Sequence, residues 1–142
     1  MRLSVMYLLF FSLATSSADV VRVKLTKINS LIEAIIHVES RGDSMAYNSK
    51  EDAVGVLQIR PIMVREVNRL LGFDKYTLKD RWSVSKSKEM FNIVRQNTKD
   101  ATDEKVARRW NGGGNGDKKK STLGYWEKVK RQLNKIKHNG IL

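Results

Sequence analysis

The stretch INSLIEAIIHVE, residues 28–39, decides the fold class of this chain. Its apolar side chains recur three and four positions apart, which is the period of one face of an α-helix. We predict a first helix from about Lys24 to Glu39, with Gly42 as its C-terminal stop. Its expected core stripe consists of Leu25, Ile28, Leu31, Ile32, Ile35 and Ile36.

Helical spacing returns in four further segments of the chain. Pro61 suits the first turn of a helix, and Thr102 or Asp103 suits an N-cap. A fifth segment carries Leu123, Trp126, Val129, Leu133 and Ile136 on one face. We predict helices from Pro61 to Gly72, Ser83 to about Asn97, Thr102 or Asp103 to about Trp110, and from Ser121 onward.

The segment 43–59 breaks the helical pattern. It is polar and rich in turn residues until the apolar run Ala53–Ile59. A loop with a small hairpin is the interpretation. The predicted fold class is therefore mostly α, a single helical domain with one loop or hairpin excursion around residues 43–59.

Composition supports one domain and excludes several kinds of site. The chain has 142 residues, 41% hydrophobic and 30% charged, which is typical of a globular protein with one core. It contains no cysteine, which excludes disulfides, thiolate metal sites and a cysteine nucleophile. The two histidines, His37 and His138, lie at opposite ends of the sequence. We expect no metal and no cofactor.

The charge balance points to an anionic partner. Lys and Arg number 27 against 15 Asp and Glu, a formal net charge of +12. Such a chain is attracted to nucleic acid, an anionic membrane or a bacterial cell wall. The alternative is an ordinary solvated helix face. The basic residues near the C-terminus are Lys118, Lys119, Lys120, Lys128, Lys130, Arg131, Lys135 and Lys137.

The N-terminus has the pattern of a signal peptide. Arg2 precedes the apolar run Leu3–Leu13, which is too short to span a membrane as a helix. Ser16 and Ala18 fit the −3 and −1 positions of a cleavage site. We predict removal of residues 1–18, export of the domain 19–142 to the periplasm, envelope or medium, and no membrane span in the mature chain. The alternative is a buried N-terminal helix.

Glu39 is the most informative polar residue. Helical spacing places it on the face that carries Ile28, Ile32 and Ile35. A carboxyl group withdrawn from water has a raised pKa, which a general acid at neutral pH requires. In the alternative, Glu39 turns to solvent from a frayed last turn, and periodicity leaves both possibilities open.

Three blocks, in order along the chain, resemble the soluble lytic transglycosylase family of the lysozyme superfamily. Ile35–Gly42 resembles the end of the catalytic helix. Gly55–Pro61 resembles the family's Gly-Leu-Met-Gln-apolar-x-Pro segment, and Trp110–Gly113 its Tyr-Asn-x-Gly segment. The resemblance implies a lysozyme-like fold and cleavage of the β-1,4 bond between N-acetylmuramic acid and N-acetylglucosamine in peptidoglycan. The expected product carries a 1,6-anhydro ring.

The resemblance also implies residue roles. Glu39 would be the sole acid and base, and Ser49, Gln58, Trp110 and Asn111 would contact the substrate. Gln58 has the alternative of an amide bonded to backbone. Trp110 replaces the family's Tyr; its indole can only donate a hydrogen bond, so it is either a sugar platform or a core anchor.

A second carboxylate would change the expected product. Asp43, Glu51 and Asp52 are the candidates in the polar loop, where solvated turn residues are common. A carboxylate about 6.5–9.5 Å from Glu39, with room for water, would favour inverting hydrolysis.

The expected partner is the peptidoglycan glycan strand, bound by a monomer, with no nucleic acid. Two other functions stay open. One is a hydrolytic muramidase on the same fold. The other is a non-catalytic exported module that binds wall or nucleic acid through its basic residues.

Overall fold

The first helix begins earlier than its apolar pattern predicts. A computed structural model describes residues 16–139, without the side chains of 24–28. Helix α1 spans Ser17–Ser40, and the Ser16 side chain accepts a hydrogen bond from the backbone N–H of Asp19. The predicted start at Lys24 is therefore wrong. Val20, Val21 and Val23 are exposed, so this part of α1 has no core stripe that periodicity can detect.

The predicted signal peptide falls mostly outside the described residues. The apolar run Leu3–Leu13 belongs to that part, and so do the side chains of Leu25 and Ile28 in the predicted stripe. The predicted cleavage point after Ala18 lies in the first turn of α1. The rest of the stripe, Leu31, Ile32, Ile35 and Ile36, is buried as predicted.

Helix α1 ends where the sequence predicts. Arg41 has a left-handed φ of 57° and donates its backbone N–H to the carbonyl of His37. Gly42 follows with φ 89°, a conformation that glycine adopts without a steric penalty. This ending leaves Glu39 in the last turn, where the chain turns into the loop.

The other four helices follow the predicted segments. Ser83 and Thr102 cap two of them through their side chains, and Gly72 ends one with φ 80°. The fifth begins two residues after Ser121, because Lys120–Thr122 is a 3₁₀ turn. These helices are α2 (Pro61–Leu71), α3 (Val84–Gln96), α4 (Asp103–Gly112) and α5 (Leu123–His138). Further 3₁₀ turns at Leu78–Trp82 and Gly116–Lys118 were not predicted.

The predicted excursion contains a small antiparallel hairpin. Strand β1 (Tyr47–Asn48) pairs with β2 (Ala53–Val54), with Tyr47 opposite Val54. Val54 also bridges to Ile59, which folds the next segment back onto the hairpin. A Cβ on Gly55 would lie 2.4 Å from the carbonyl oxygen of Arg81, so only glycine fits there.

The core forms where the five helices and the segment after the hairpin meet. Its fully buried members include Ile35, Leu57, Phe91, Ala107 and Val129. Helices α1 and α5 pack directly against each other, and this contact brings the last turn of α1 next to the first turn of α5. The mostly α fold class with a hairpin excursion is confirmed. Within residues 16–139, no helix is both long and apolar enough to cross a bilayer.

Candidate active site

A polar pocket of about 350 Å³ opens at the end of α1. It lies between that helix, the hairpin, the segment entering α2 and the end of α4. Four residues predicted from the sequence line it: Glu39, Gln58, Trp110 and Asn111. Its other lining residues are Asn48, Glu51, Ala53, Ile59, Arg60 and Met63.

The prediction for Ser49 does not fit this pocket. Ser49 is exposed and is not among the residues that line it, whereas Asn48 and Glu51 are. The reason is the register of the hairpin. Asn48 pairs with Ala53, so Ser49 is the first residue of the connecting turn, where it is exposed. The loop contributes Asn48 and Glu51 to the site in place of the serine.

Glu39 lies in the last turn of α1 with its carboxylate in the pocket and only partly exposed. Burial raises its pKa to about 7, and the charge of Glu51 acts in the same direction. The hydrogen bond from Tyr125 and the charges of Arg60 and Lys128 act against this rise. Withdrawal from water dominates because it penalises the charged form most strongly. Glu39 therefore exchanges a proton near neutral pH.

Tyr125 on α5 is the direct partner of Glu39. Its hydroxyl donates a hydrogen bond of 2.7 Å to Oε1 of Glu39. Burial raises the pKa of Tyr125 well above its usual value, so the group stays a donor. We did not predict this residue, since 86 positions separate it from Glu39 and only the packing of α1 on α5 joins them.

Trp110 is principally a core residue. It is 4% exposed and its ring meets Phe91 edge to face at 5.2 Å between centroids. A small part of it still reaches the pocket wall. Of the two interpretations, the core anchor matches this environment, because a sugar platform needs an open ring face.

Gln58 lines the pocket and also holds the loop around it. Its Nε2 donates to the carbonyl oxygens of Ala46, at 3.1 Å, and Gly55, at 3.0 Å. Its backbone has φ 45°, a left-handed conformation that is costly for a residue with a side chain. The bonds to the loop stabilise this conformation. The alternative of an amide bonded to backbone is therefore correct for the NH₂ group.

Among the three candidate second carboxylates, Glu51 lines the pocket. Asp43 caps a turn by accepting from the N–H of Met45, and Asp52 pairs with Arg81 at 3.5 Å. Glu51 lies 3.8 Å from Nη1 of Arg60, measured from its Oε2. The chain therefore places two carboxylates, Glu39 and Glu51, on the walls of one pocket.

Asn111 lines the pocket, and its backbone carbonyl also binds Arg60. Its carbonyl oxygen accepts a 3.0 Å hydrogen bond from Nη2 of Arg60. Arg60 thus connects the segment entering α2 to the end of α4. We did not predict a role for Arg60, although it is the charged residue inside the Gly55–Pro61 block.

A larger groove of about 710 Å³ lies between α4 and α5 and shares no lining residue with the Glu39 pocket. Its carboxylates are Asp103 and Glu104, in the first turn of α4, where acidic side chains are common. Glu104 already pairs with Arg108 at 2.7 Å. The smaller pocket is the one that contains Glu39 and its raised pKa.

The pocket is suited to proton transfer by side chains. In the part of the chain that the structure describes, no three residues of the metal-ligating types are arranged to hold a metal ion.

No protein-family model, curated protein or solved structure matches this chain. The properties of the site therefore rest on its own geometry.

Proposed function

We propose that this chain is an exported lytic transglycosylase with a lysozyme-like helical domain, which cuts the β-1,4 bond between N-acetylmuramic acid and N-acetylglucosamine. The observation that carries the proposal is Glu39, a carboxyl with a pKa of about 7 in a polar pocket at a helix end. The three sequence blocks that resemble the family supply walls of this same pocket.

The proposed reaction needs one acid that becomes a base. Protonated Glu39 gives its proton to the glycosidic oxygen as the bond from that oxygen to C1 breaks, and the N-acetylglucosamine end leaves as an alcohol. The muramic acid C6 oxygen then bonds to C1, and its hydroxyl proton passes to the Glu39 carboxylate. The 1,6-anhydro ring closes and Glu39 is protonated again, so no water is consumed.

A pKa near 7 suits both halves of this reaction. An acid and base of this pKa is present in both forms at neutral pH, and proton transfer is most efficient under that condition. The Tyr125 hydroxyl fixes Oε1 of the carboxyl group, so the other oxygen is the one that would exchange the proton with the substrate. The pairing therefore orients the proton-carrying group as well as limiting its pKa.

The second candidate function is hydrolytic muramidase activity on the same domain. It is favoured by Glu51, which lines the pocket with Glu39 and can act as a base toward water. The two functions give different products. A lytic transglycosylase leaves a muramic acid end that is lighter by one water than the hydrolysed end, and mass spectrometry of the fragments separates them.

Surface charge supports a wall partner. Lys128, Lys130, Arg131 and Lys135 are exposed on α5, and peptidoglycan stems carry carboxylates. We propose export to the periplasm or envelope and action on glycan strands as a monomer. A non-catalytic wall- or nucleic-acid-binding module would use the same charges but would not need Glu39.

The test of the proposed function is Glu39→Gln, with Glu33→Gln as its control. Glu33 is exposed on the same helix and pairs with Lys88 at 2.7 Å. We expect Glu39→Gln to abolish clearing of purified peptidoglycan while the variant stays folded and melts cooperatively. Glu33→Gln should clear normally. Clearing by Glu39→Gln at the wild-type rate would refute the proposal.

A further inference from the structure

The Arg60 side chain connects three parts of the chain at the candidate active site. Arg60 reaches the carbonyl of Asn111 with Nη2, at 3.0 Å, and approaches Glu51 with Nη1, at 3.8 Å. Glu51 comes from the hairpin loop, Arg60 from the segment entering α2 and Asn111 from the end of α4. All three line the pocket that contains Glu39.

This arrangement fixes the guanidinium and leaves Glu51 less constrained. The bond from Arg60 to Asn111 has normal hydrogen-bond length, whereas the contact between Arg60 and Glu51 is an ion pair too long for one. The Glu51 side chain is 58% exposed. Its carboxylate is therefore held near the pocket by charge attraction and still has oxygen lone pairs available to a bound molecule.

We propose that Glu51 is a second catalytic carboxylate, which stabilises the positive charge that develops at C1 of the sugar, and that Arg60 is its positioning residue. This inference rests on the proposed function, which assigns Glu39 alone to the acid and base steps. It adds an electrostatic role to the same site and leaves the product unchanged.

The chemistry of glycoside cleavage supplies the reason. The transition state resembles an oxocarbenium ion, with positive charge shared by C1 and the ring oxygen. Glu39 enters the step neutral, because its proton is the one transferred. A second carboxylate that takes no part in the proton transfer is the kind of group that stabilises such a state most when water is excluded. Among the pocket's lining residues, Glu51 is the remaining carboxylate.

Substrate binding should strengthen the ion pair. An exposed pair contributes little in water, and here both side chains are partly solvated. A glycan in the pocket displaces that water and lowers the local dielectric, which increases every charge interaction inside. The hydrogen bond from Nη2 of Arg60 to the carbonyl of Asn111 holds the guanidinium in the pocket wall if the Glu51 side chain moves.

The experiment compares Glu51→Gln with Glu33→Gln, which removes a carboxylate from an exposed ion pair outside the pocket. Purified peptidoglycan is the substrate, and rates and muropeptide masses are both recorded. We expect Glu51→Gln to lower kcat about ten-fold or more, with KM nearly unchanged and the anhydro product retained. Glu51→Asp, which keeps the charge, should recover part of the loss.

The test of Arg60 measures the pKa of Glu39, through the pH profile of cleavage, as well as the cleavage rate. Arg60 lowers the pKa of Glu39 and Glu51 raises it. The alkaline limb of the pH profile should therefore move to higher pH in Arg60→Met and to lower pH in Glu51→Gln. If Arg60 acts through Glu51, the double variant should have a kcat close to that of the slower single variant.

The possible results separate this inference from the proposed function. If Glu39→Gln is inactive and Glu51→Gln keeps kcat within about two-fold of the wild type, the role of Glu51 is refuted and the proposed function stands. If Glu51→Gln loses only a hydrolysed product, Glu51 is a base toward water and the inference is wrong. If Glu39→Gln remains active, the proposed function fails and this inference fails with it.

Discussion

The Tyr125 hydroxyl donates a 2.7 Å hydrogen bond to Oε1 of Glu39 across the contact between α5 and α1. A hydrogen bond to the charged form of a carboxyl favours that form, and this one lowers a pKa that burial raises. The value of about 7 is the balance of these effects. Tyr125 therefore orients Glu39 and limits how far burial raises its pKa.

Tyr125→Phe should change the pH dependence of cleavage. Removal of the hydroxyl removes a bond that favours the carboxylate, so the pKa of Glu39 rises and the alkaline limb of kcat/KM moves to higher pH. We also expect kcat to fall about ten-fold, because the carboxyl group loses its orientation. The measurement is the peptidoglycan-clearing rate across pH 5 to 9.

Tyr47→Phe is the control for that variant. Tyr47 is exposed on the hairpin and its ring lies near Trp82. Its profile should superimpose on that of the wild type. If the alkaline limb of the Tyr125→Phe profile stays at the pH of the wild type, or moves to lower pH, the hydroxyl does not stabilise the Glu39 carboxylate.

The stability of the domain should depend on pH through Glu39. Its pKa is raised from 4.5 to about 7 on folding, so the folded state holds this proton more tightly. The resulting stabilisation is fully present below pH 4.5 and is lost as pH rises through about 7. It amounts to about 3 kcal/mol at most.

Thermal melts of the wild type and of Glu39→Gln between pH 4.5 and 7.5 measure this contribution. Gln cannot ionise, so the difference in Tm between the variant and the wild type should change in favour of the variant as pH rises. A constant difference over that range would mean that Glu39 titrates near its ordinary pKa in the folded protein.

Gly116→Ala should destabilise the fold through a backbone clash. A Cβ at this position would lie 2.1 Å from the carbonyl oxygen of Arg108, on α4. Because backbone atoms cannot yield as a flexible side chain can, we expect a loss of about 1–3 kcal/mol in the free energy of unfolding. Denaturant melts measure it.

Gly114→Ala is the matched control in the same loop. Its Cβ would have no neighbour within 4 Å, and Gly114 has no positive φ. This substitution should change the free energy of unfolding by less than about 0.5 kcal/mol. Equal effects at both positions would contradict the close approach of the loop to α4.

Arg81→Met should loosen the hairpin. Arg81 is 5% exposed and donates hydrogen bonds to the carbonyls of Leu78, Asp52 and Ile59. Without it, two hairpin-side carbonyls lose a charged donor, and we expect a cost of about 2–5 kcal/mol. Arg65→Met, at an exposed position on α2, should cost little.

Hydrogen exchange of the hairpin amides checks the location of that effect. Faster exchange at Val54 and Ile59 in Arg81→Met, with α5 unchanged, is the expected pattern. If exchange becomes faster by the same factor across the whole domain, Arg81 contributes to global stability and not specifically to the loop that carries Glu51 and Gln58.

The helices could be predicted from the sequence because burial imposes their period. Residues 31–36 show this most clearly, since all but Glu33 are buried. The start of α1 could not be predicted, because Val20, Val21 and Val23 are exposed and carry no such pattern. Capping by Ser16 is the local feature that sets this start.

Only those residues of the candidate site that lie in continuous blocks of sequence could be predicted. Glu39 and Gln58 come from such blocks and line the pocket. Tyr125 and Arg81 act through tertiary contacts with distant segments, which no local pattern encodes. Ser49 is exposed in the hairpin turn and is not a lining residue of the pocket, so its contact with the substrate stays a prediction.

The contact between α1 and α5 also sets an order of events during protein synthesis. The ribosome makes Glu39 early, while Tyr125 emerges only after a further 86 residues. A nascent chain that lacks α5 carries the acid without its hydroxyl partner and without the helix that shields it from water. If the chain is the proposed lytic transglycosylase, cleavage competence is gained late, when α5 docks, and unfinished translation products should leave glycan strands intact.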